Sequence, residues 1–149
     1  MATTPALKLD NQICHSLYSA TNALIRAYRP LLDAIDLTYP QYLVMLALWE
    51  QDDVAMKSLV SRTRFDAGTL TPMLKRLESK QLISITTSSE DSRQKRVCLT
   101  DSGKALSSEA QRVPGAMSCQ IDMSPDEAFQ LKALAEQLYD LLIKNEAQR

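Results

Sequence analysis

The chain is poor in the residues that most metal and hydrolytic sites require. It has one histidine, His15, and three cysteines, at positions 14, 98 and 119 of 149 residues. A single imidazole argues against a histidine-based metal site or a catalytic triad. No Cys-x-x-Cys occurs, and an odd set of thiols this far apart indicates neither a zinc site nor a disulfide scaffold, so no metal and no cofactor are expected. Three glycines and six prolines exclude collagen-like and glycine-rich chains, and so few breakers favour helices. The longest apolar run, Tyr42 to Trp49, has eight residues and is too short to span a bilayer. The opening Met-Ala-Thr-Thr-Pro-Ala lacks the charged and apolar regions of a signal peptide, which makes the cytoplasm the expected compartment. What is present, 45% hydrophobic and 23% charged residues, is ordinary for one globular domain with a real core.

Net charge is only −1, an average over unlike parts. Residues 1–53 hold 3 Lys/Arg against 6 Asp/Glu, residues 54–104 hold 10 against 5, and residues 105–149 hold 4 against 7. A basic middle between acidic ends points to a polyanion-binding face on that middle section.

Hydrophobic spacing gives the organisation. Ile13, Leu17, Ala20, Leu24, Ala27 and Leu31 recur at three and four, one face of a helix that Asp10 would cap and Pro30 would kink or end. Tyr39-Pro40 opens a second helix with proline as its first residue, and its apolar run belongs in the core. Met56, Leu59 and Val60 mark a short helix, with a turn at Arg64-Phe65. Leu70, Leu74 and Leu77 mark the buried face of the next helix, about 66 to 80, whose other positions include Thr69, Thr71, Lys75, Arg76 and Lys80. Pro72 admits two starts for it, at Asp66 or after Thr71. Ile83/Ile85 and Val97/Leu99 alternate as strands about a polar tip, Ser88 to Arg93. A helix-turn-helix followed by a two-stranded hairpin is a winged helix, so the fold class is mainly α with a small β-hairpin. Asp101 would cap a helix that Pro114-Gly115 breaks. Ser124-Pro125-Asp126-Glu127 is an N-terminal capping signature, followed by a stripe of Leu131, Leu134, Leu138, Leu141 and Leu142. Apolar stripes at both ends, outside a DNA-reading middle, can be buried within the monomer or against a second copy; the second is expected here, because a dimer matches the dyad of a palindromic site.

These residues carry a resemblance. Leu70-Thr71-Pro72-Met73-Leu74-Lys75-Arg76-Leu77, Asp91-x-Arg93 and Leu99-Thr100-x-x-Gly103 resemble the winged-helix core of the MarR family. Cys14 with its flanking Leu9 to Ile13, Tyr28, and Leu37-Thr38-Tyr39-Pro40-Gln41-Tyr42-Leu43 resemble the OhrR branch, the organic-hydroperoxide-sensing repressors. The likeness runs over about residues 7 to 145. It implies a single domain, with dimerisation helices at about 9–38 and 101–147 and a DNA-binding region at about 40–100. It implies a homodimer on double-stranded operator DNA, with the recognition helix in the major groove and the wing, with Arg93, in the minor groove. It also implies that Cys14 is the peroxide-sensing thiol, hydrogen-bonded by Tyr28 and Tyr39. Val113-Pro114-x-x-x-x-Cys119 fits a subset of the branch in which the second thiol, here Cys119, resolves the oxidised sensor as an intersubunit disulfide. The chain departs from the family at Gln81, where glycine is usual after the recognition helix, at Thr86-Thr87, where a basic residue is common, and at Ala67, where a close relative would offer serine.

The residues themselves weigh on the same question. Cys14 falls in the first turn of its helix, where free N–H groups favour a charged sulfur, although a lone thiol there is also a common small core residue. Tyr28 is 14 positions beyond it, roughly 21 Å along a helix at 1.5 Å per residue, so its contact with Cys14 would come from the second subunit. Cys98 lies between two inward strand residues and reads as structural. Asp91 can hold Arg93 extended for a narrow minor groove. Lys75, Arg76, Lys95 and Arg96 read as phosphate contacts, and Thr69 and Thr71 as base or phosphate contacts. The expected function is a non-enzymatic repressor released when an organic hydroperoxide oxidises Cys14. The alternatives are a regulator released by a small phenolic ligand and a thiol peroxidase using Cys14 and Cys119.

Overall fold

A computed structural model describes residues 4–87 and 94–149. Two short 3₁₀ turns, Pro5–Leu7 and Leu9–Asn11, lead into α1 (Ile13–Asp33) and α2 (Tyr39–Glu50). There follow β1 (Val54–Ala55), α3 (Met56–Thr63), α4 (Ala67–Ser79), β2 (Ile83–Thr87), β3 (Lys95–Leu99), α5 (Asp101–Ala110), α6 (Arg112–Ile121) and α7 (Pro125–Ala147). The expected mainly helical winged fold is what is seen. The described residues divide into two compact units, Met1–Pro114 and Gly115–Arg149.

Asp10 does not cap α1. It lies in the second 3₁₀ turn, and Gln12 precedes the helix without a side-chain cap bond. The side-chain amides of Asn11 and Gln12 turn back instead and donate to the carbonyls of Pro5, Ala6 and Lys8 at 2.8–2.9 Å. Pro30 does not end α1, which continues to Asp33. The proline is exposed, so water can serve the Arg26 carbonyl that loses its helical donor.

Thr38 caps α2 in a reciprocal box: its hydroxyl accepts from the Gln41 N–H at 3.2 Å, and its own N–H donates to Gln41 Oε1 at 3.1 Å. Tyr39 is therefore the first helical residue and Pro40 the second, one place later than the sequence suggests. α2 is the axis of the core. Val44, Met45 and Leu48 are fully buried and share one core cluster with Leu32, Leu59, Leu70, Leu74, Leu77, Ile83 and Val97.

Pro72 sits inside α4, whose N-cap is Asp66, accepting from the Thr69 N–H at 2.7 Å. Of the two starts the earlier one holds. The cap and the three buried leucines outweigh one missing bond, to the Gly68 carbonyl. The strands are antiparallel in the order β1-β3-β2, with Ile83 opposite Leu99 and Ile85 opposite Val97. The third strand, β1, pairs Val54 with Val97 and was not apparent from two residues of sequence.

Gln81 occupies the left-handed region at φ 63°, which explains why glycine is usual there. Thr100, not Asp101, caps α5, accepting from the Gly103 N–H at 3.0 Å. α5 gives way to α6 at Gln111, before Pro114 rather than at it. A proline at 114 has no N–H to offer the carbonyl of Ala110, four residues back, so the first helix stops there. Ser124 and Glu127 form the expected capping box at α7.

Two helices carry bare apolar faces. On α1, Ile13 is 72% exposed and Leu24 is also exposed. None of the 23 residues of α7 is buried, and its stripe from Phe129 to Leu142 lies open.

Candidate nucleic-acid interface and sensor thiols

On α4 the spacing i, i+4, i+7 turns Leu70, Leu74 and Leu77 into the core, at most 2% exposed. Thr69, Lys75 and Arg76 are consequently exposed and Thr71 is half-buried. The Thr71 hydroxyl donates to the Ala67 carbonyl at 2.8 Å, which leaves its lone pairs as acceptors. Hydrogen bonds from the first turn hold the Asp66 carboxyl below the usual range, Thr69 foremost, so the cap is ionised at neutral pH. Lys57 and Lys95 are exposed on the neighbouring α3 and β3. Asp91 and Arg93 lie outside the described residues.

Cys14 is the second residue of α1 and is exposed, as is Tyr18 one turn on. Among the described residues no side chain of the same chain hydrogen-bonds its sulfur. Tyr28 and Tyr39 are brought together: their ring centres lie 4.8 Å apart, and Tyr42 joins them at 5.9 and 6.5 Å. Burial raises the phenols of all three, and the mutual proximity of the rings adds to this for Tyr39 and Tyr42, so they stay protonated donors at neutral pH. The cluster forms at the far end of α1 from Cys14, as the helical rise requires. Cys119 is exposed on α6. Cys98 is half-buried, and its thiol donates to Asp53 Oδ1 at 3.2 Å. Burial and that carboxylate push the thiol up, which suits a structural residue rather than a sensor.

The family model of the transcriptional regulators SarA/Rot matches residues 26–110. The organic hydroperoxide resistance transcriptional regulator of Bacillus subtilis is 40% identical over 136 residues, which are 91% of this chain and 90% of that one. Among solved structures, reduced AbfR bound to DNA, a Staphylococcus epidermidis protein, is 30% identical with a TM-score of 0.74 over 93% of this chain and 98% of that one. The disulfide-formed AbfR is 31% identical with a TM-score of 0.64 over 90% and 94%. The chain belongs to the MarR family of winged-helix transcriptional regulators.

In this MarR regulator two of the basic residues that the sequence placed on the outer face of α4 or as phosphate contacts turn out to be engaged within the chain. Arg96 donates from Nε to Asp53 Oδ1 at 2.9 Å and from Nη2 to the Asp53 carbonyl at 2.6 Å, so it anchors the wing rather than standing ready for phosphate. Asp52 accepts from the Leu99 N–H at 2.8 Å beside it. Lys80, placed by sequence among the outer positions of α4, reaches back to the turn between α1 and α2. Its ammonium donates to the Asp36 carbonyl at 2.5 Å and to Gln41 Oε1 at 3.3 Å. Both engagements span about 40 residues of sequence, and no local pattern signals them. No helix among the described residues is long and apolar enough to cross a membrane.

Proposed function

We propose that this regulator is a repressor that binds palindromic operator DNA as a reduced homodimer and leaves it when an organic hydroperoxide oxidises Cys14. One observation carries the reading. An exposed thiol opens α1 on a bare apolar stripe, and two protonated tyrosines from α1 and α2 cluster at the other end of that helix. A two-fold axis across α1 would place each thiol against the partner's tyrosines and cover the stripe. The regions 9–38 and 101–147 then serve dimerisation, and 40–100 the DNA. The bare face of α7 supports that division.

The chemistry is a two-electron oxidation. The Cys14 thiolate attacks the terminal peroxide oxygen, the O–O bond breaks, and the alkoxide takes a proton to leave as the alcohol while sulfur becomes sulfenic acid. Attack by the Cys119 thiol then forms an intersubunit disulfide and releases water. Tyr28 and Tyr39 supply the hydrogen bonds that hold the reduced sulfur. On DNA, α4 enters the major groove with Thr69, Thr71, Lys75 and Arg76, and Asp91 orients Arg93 into the minor groove. The likeness to AbfR, solved both reduced on DNA and with a disulfide formed, supports this use of the fold.

A gel shift on the promoter region of the chain's own gene tests the reading. Reduced protein should retard the DNA, tert-butyl hydroperoxide should release it, and Cys14→Ser should bind equally and ignore the peroxide. Release of the Cys14→Ser complex by peroxide would sink the assignment. A second reading, release by a small phenolic ligand, draws on a cavity of about 630 Å³ lined by Leu46, Trp49, Leu99 and Ala110 with Lys104. A response that survives thiol blocking would favour it. Peroxide turnover with a thiol reductant and no DNA affinity would favour the peroxidase.

A further inference from the structure

We propose that Lys80 couples the tyrosine-bearing elbow between α1 and α2 to the reading helix α4, so that a change at the sensor shifts the DNA-contacting face. The inference rests on the peroxide-responsive reading above and assigns a positioning residue to it.

Lys80 is the C-cap of α4, its backbone N–H bonded to the carbonyls of Arg76 and Glu78. Its side chain leaves α4 and ends among three oxygens of the elbow: the Asp36 carbonyl at 2.5 Å, Gln41 Oε1 at 3.3 Å and Asp36 Oδ1 at 3.5 Å. Gln41 is only 4% exposed, and the same Oε1 accepts the Thr38 N–H that starts α2. Tyr39, the first residue of α2, lies between Thr38 and Gln41 with its ring 4.8 Å from Tyr28. A single ammonium therefore ties the reading helix to the capping box that carries Tyr39.

Both sides of this link are stiff. Asp36 closes α1 at φ 54°, with the Leu37 N–H returned to the Leu32 carbonyl at 3.1 Å. On the other side the Ile85 N–H donates to Glu78 Oε2 at 3.0 Å, and the Thr100 hydroxyl to the Gln81 carbonyl at 2.6 Å, so α4, β2 and the start of α5 form one body. Apolar contact between α2 and the DNA-binding helices is non-directional and tolerates sliding. A charged donor among three oxygens is directional, and breaking it leaves a half-buried ammonium short of partners. A displacement of Tyr39 that opens the capping box must therefore either carry Lys80 along or release it. That choice is a two-state element of the kind that coupling between sites requires.

The experiment compares Lys80→Met, Lys80→Arg and Asp36→Asn with the wild type. It measures operator affinity before and after tert-butyl hydroperoxide, and the rate at which the Cys14 thiol is lost. Lys80→Met should bind reduced operator within about threefold of wild type and oxidise at the same rate. Its loss of affinity on oxidation should be smaller by about tenfold or more. Lys80→Arg should restore the loss, and Asp36→Asn should fall between. A merely structural residue would not move the ratio of the two affinities while leaving the reduced one in place. A Lys80→Met ratio equal to wild type overturns the coupling. So does a drop in reduced affinity with the salt dependence lowered by about one charge, which would make Lys80 a phosphate contact. If Lys80→Met does not fold, Asp36→Asn decides: its carboxylate is 90% exposed, asparagine tolerates the left-handed backbone, and an unchanged ratio overturns the proposal. If wild type itself keeps its operator after oxidation, the peroxide reading fails and the coupling with it; if wild type releases and Lys80→Met loses affinity by the same factor, the coupling alone fails.

Discussion

Gly103→Ala should destabilise the regulator by about 3 kcal/mol, although alanine is the better helix former. Gly103 is the third residue of α5, and a methyl group built there lies 2.0 Å from the Leu82 carbonyl oxygen, 3.0 Å from its carbon and 3.2 Å from Leu99 Cδ2. The oxygen has to retreat by at least about 1 Å, and it is not free to, because it accepts the Thr100 N–H at 3.0 Å. The helix is held from its own side as well. The Gly103 N–H is bonded to the Thr100 hydroxyl at 3.0 Å, and the Gly103 carbonyl accepts the Trp49 indole N–H at 2.9 Å. Overpacking against backbone costs about 1–3 kcal/mol. Displacing one or two of these hydrogen bonds adds about 1 kcal/mol each. The gain in helix propensity returns about 0.8–1.0 kcal/mol. Urea unfolding followed through Trp49, the only tryptophan, measures the balance at matched protein concentration. Gly115→Ala is the control: nothing lies within 4 Å of a methyl there, so it should be neutral or stabilising by up to about 1 kcal/mol. A Gly103→Ala protein as stable as wild type would refute the steric account of the Leu99-Thr100-x-x-Gly103 motif.

Three further outcomes are expected. Oxidised wild type should run as a covalent dimer on a non-reducing gel, while Cys119→Ser stays monomeric and overoxidises at Cys14; a dimer that depends on Cys98 would name a different partner. Arg93→Ala should weaken operator binding by about 1–3 kcal/mol with oxidation intact, and Lys75→Ala should lower affinity for all sequences alike and reduce the salt dependence by about one charge; unchanged affinity in a titration of Arg93→Ala removes the wing assignment. Cys98 should alkylate at higher pH than an ordinary thiol, and Asp53→Asn should bring its profile down, since removing a negative neighbour favours the thiolate. By the same sign, the stability Cys98 contributes is present below the ordinary thiol pKa and fades as pH rises through the raised one; a profile indifferent to Asp53 would discount the carboxylate.

Features written within one turn or one helical face were legible in the sequence. The capping box at Ser124, the leucine face of α4 and most of the buried run of α2 follow from local pattern alone, though Leu46 within that run is 40% exposed. Three local rules failed. Asp10 gave way to Gln12 because side-chain amides ordered the preceding turns, Asp101 gave way to Thr100, and Pro114 acted four residues upstream of itself. What escaped entirely were pairings across long stretches of chain: Lys80 with Asp36 and Gln41, and Arg96 with Asp53. Both looked like solvent-facing cations, since sequence shows a charge but not the acceptor that claims it. Family resemblance linked Tyr28 and Tyr39 only through Cys14; that their rings touch was not foreseen, because nothing in their spacing across a helix end specifies it.

The bare stripes of α1 and α7 also bear on how gene dosage is read out. A dimeric regulator whose helices leave this much apolar surface open within one chain assembles in a bimolecular step. At low abundance the number of operator-competent pairs then grows with about the square of the number of chains, and a twofold change in synthesis shifts it by up to about fourfold. Repression becomes steeper in protein copy number than a monomeric reader would allow, before any peroxide is present.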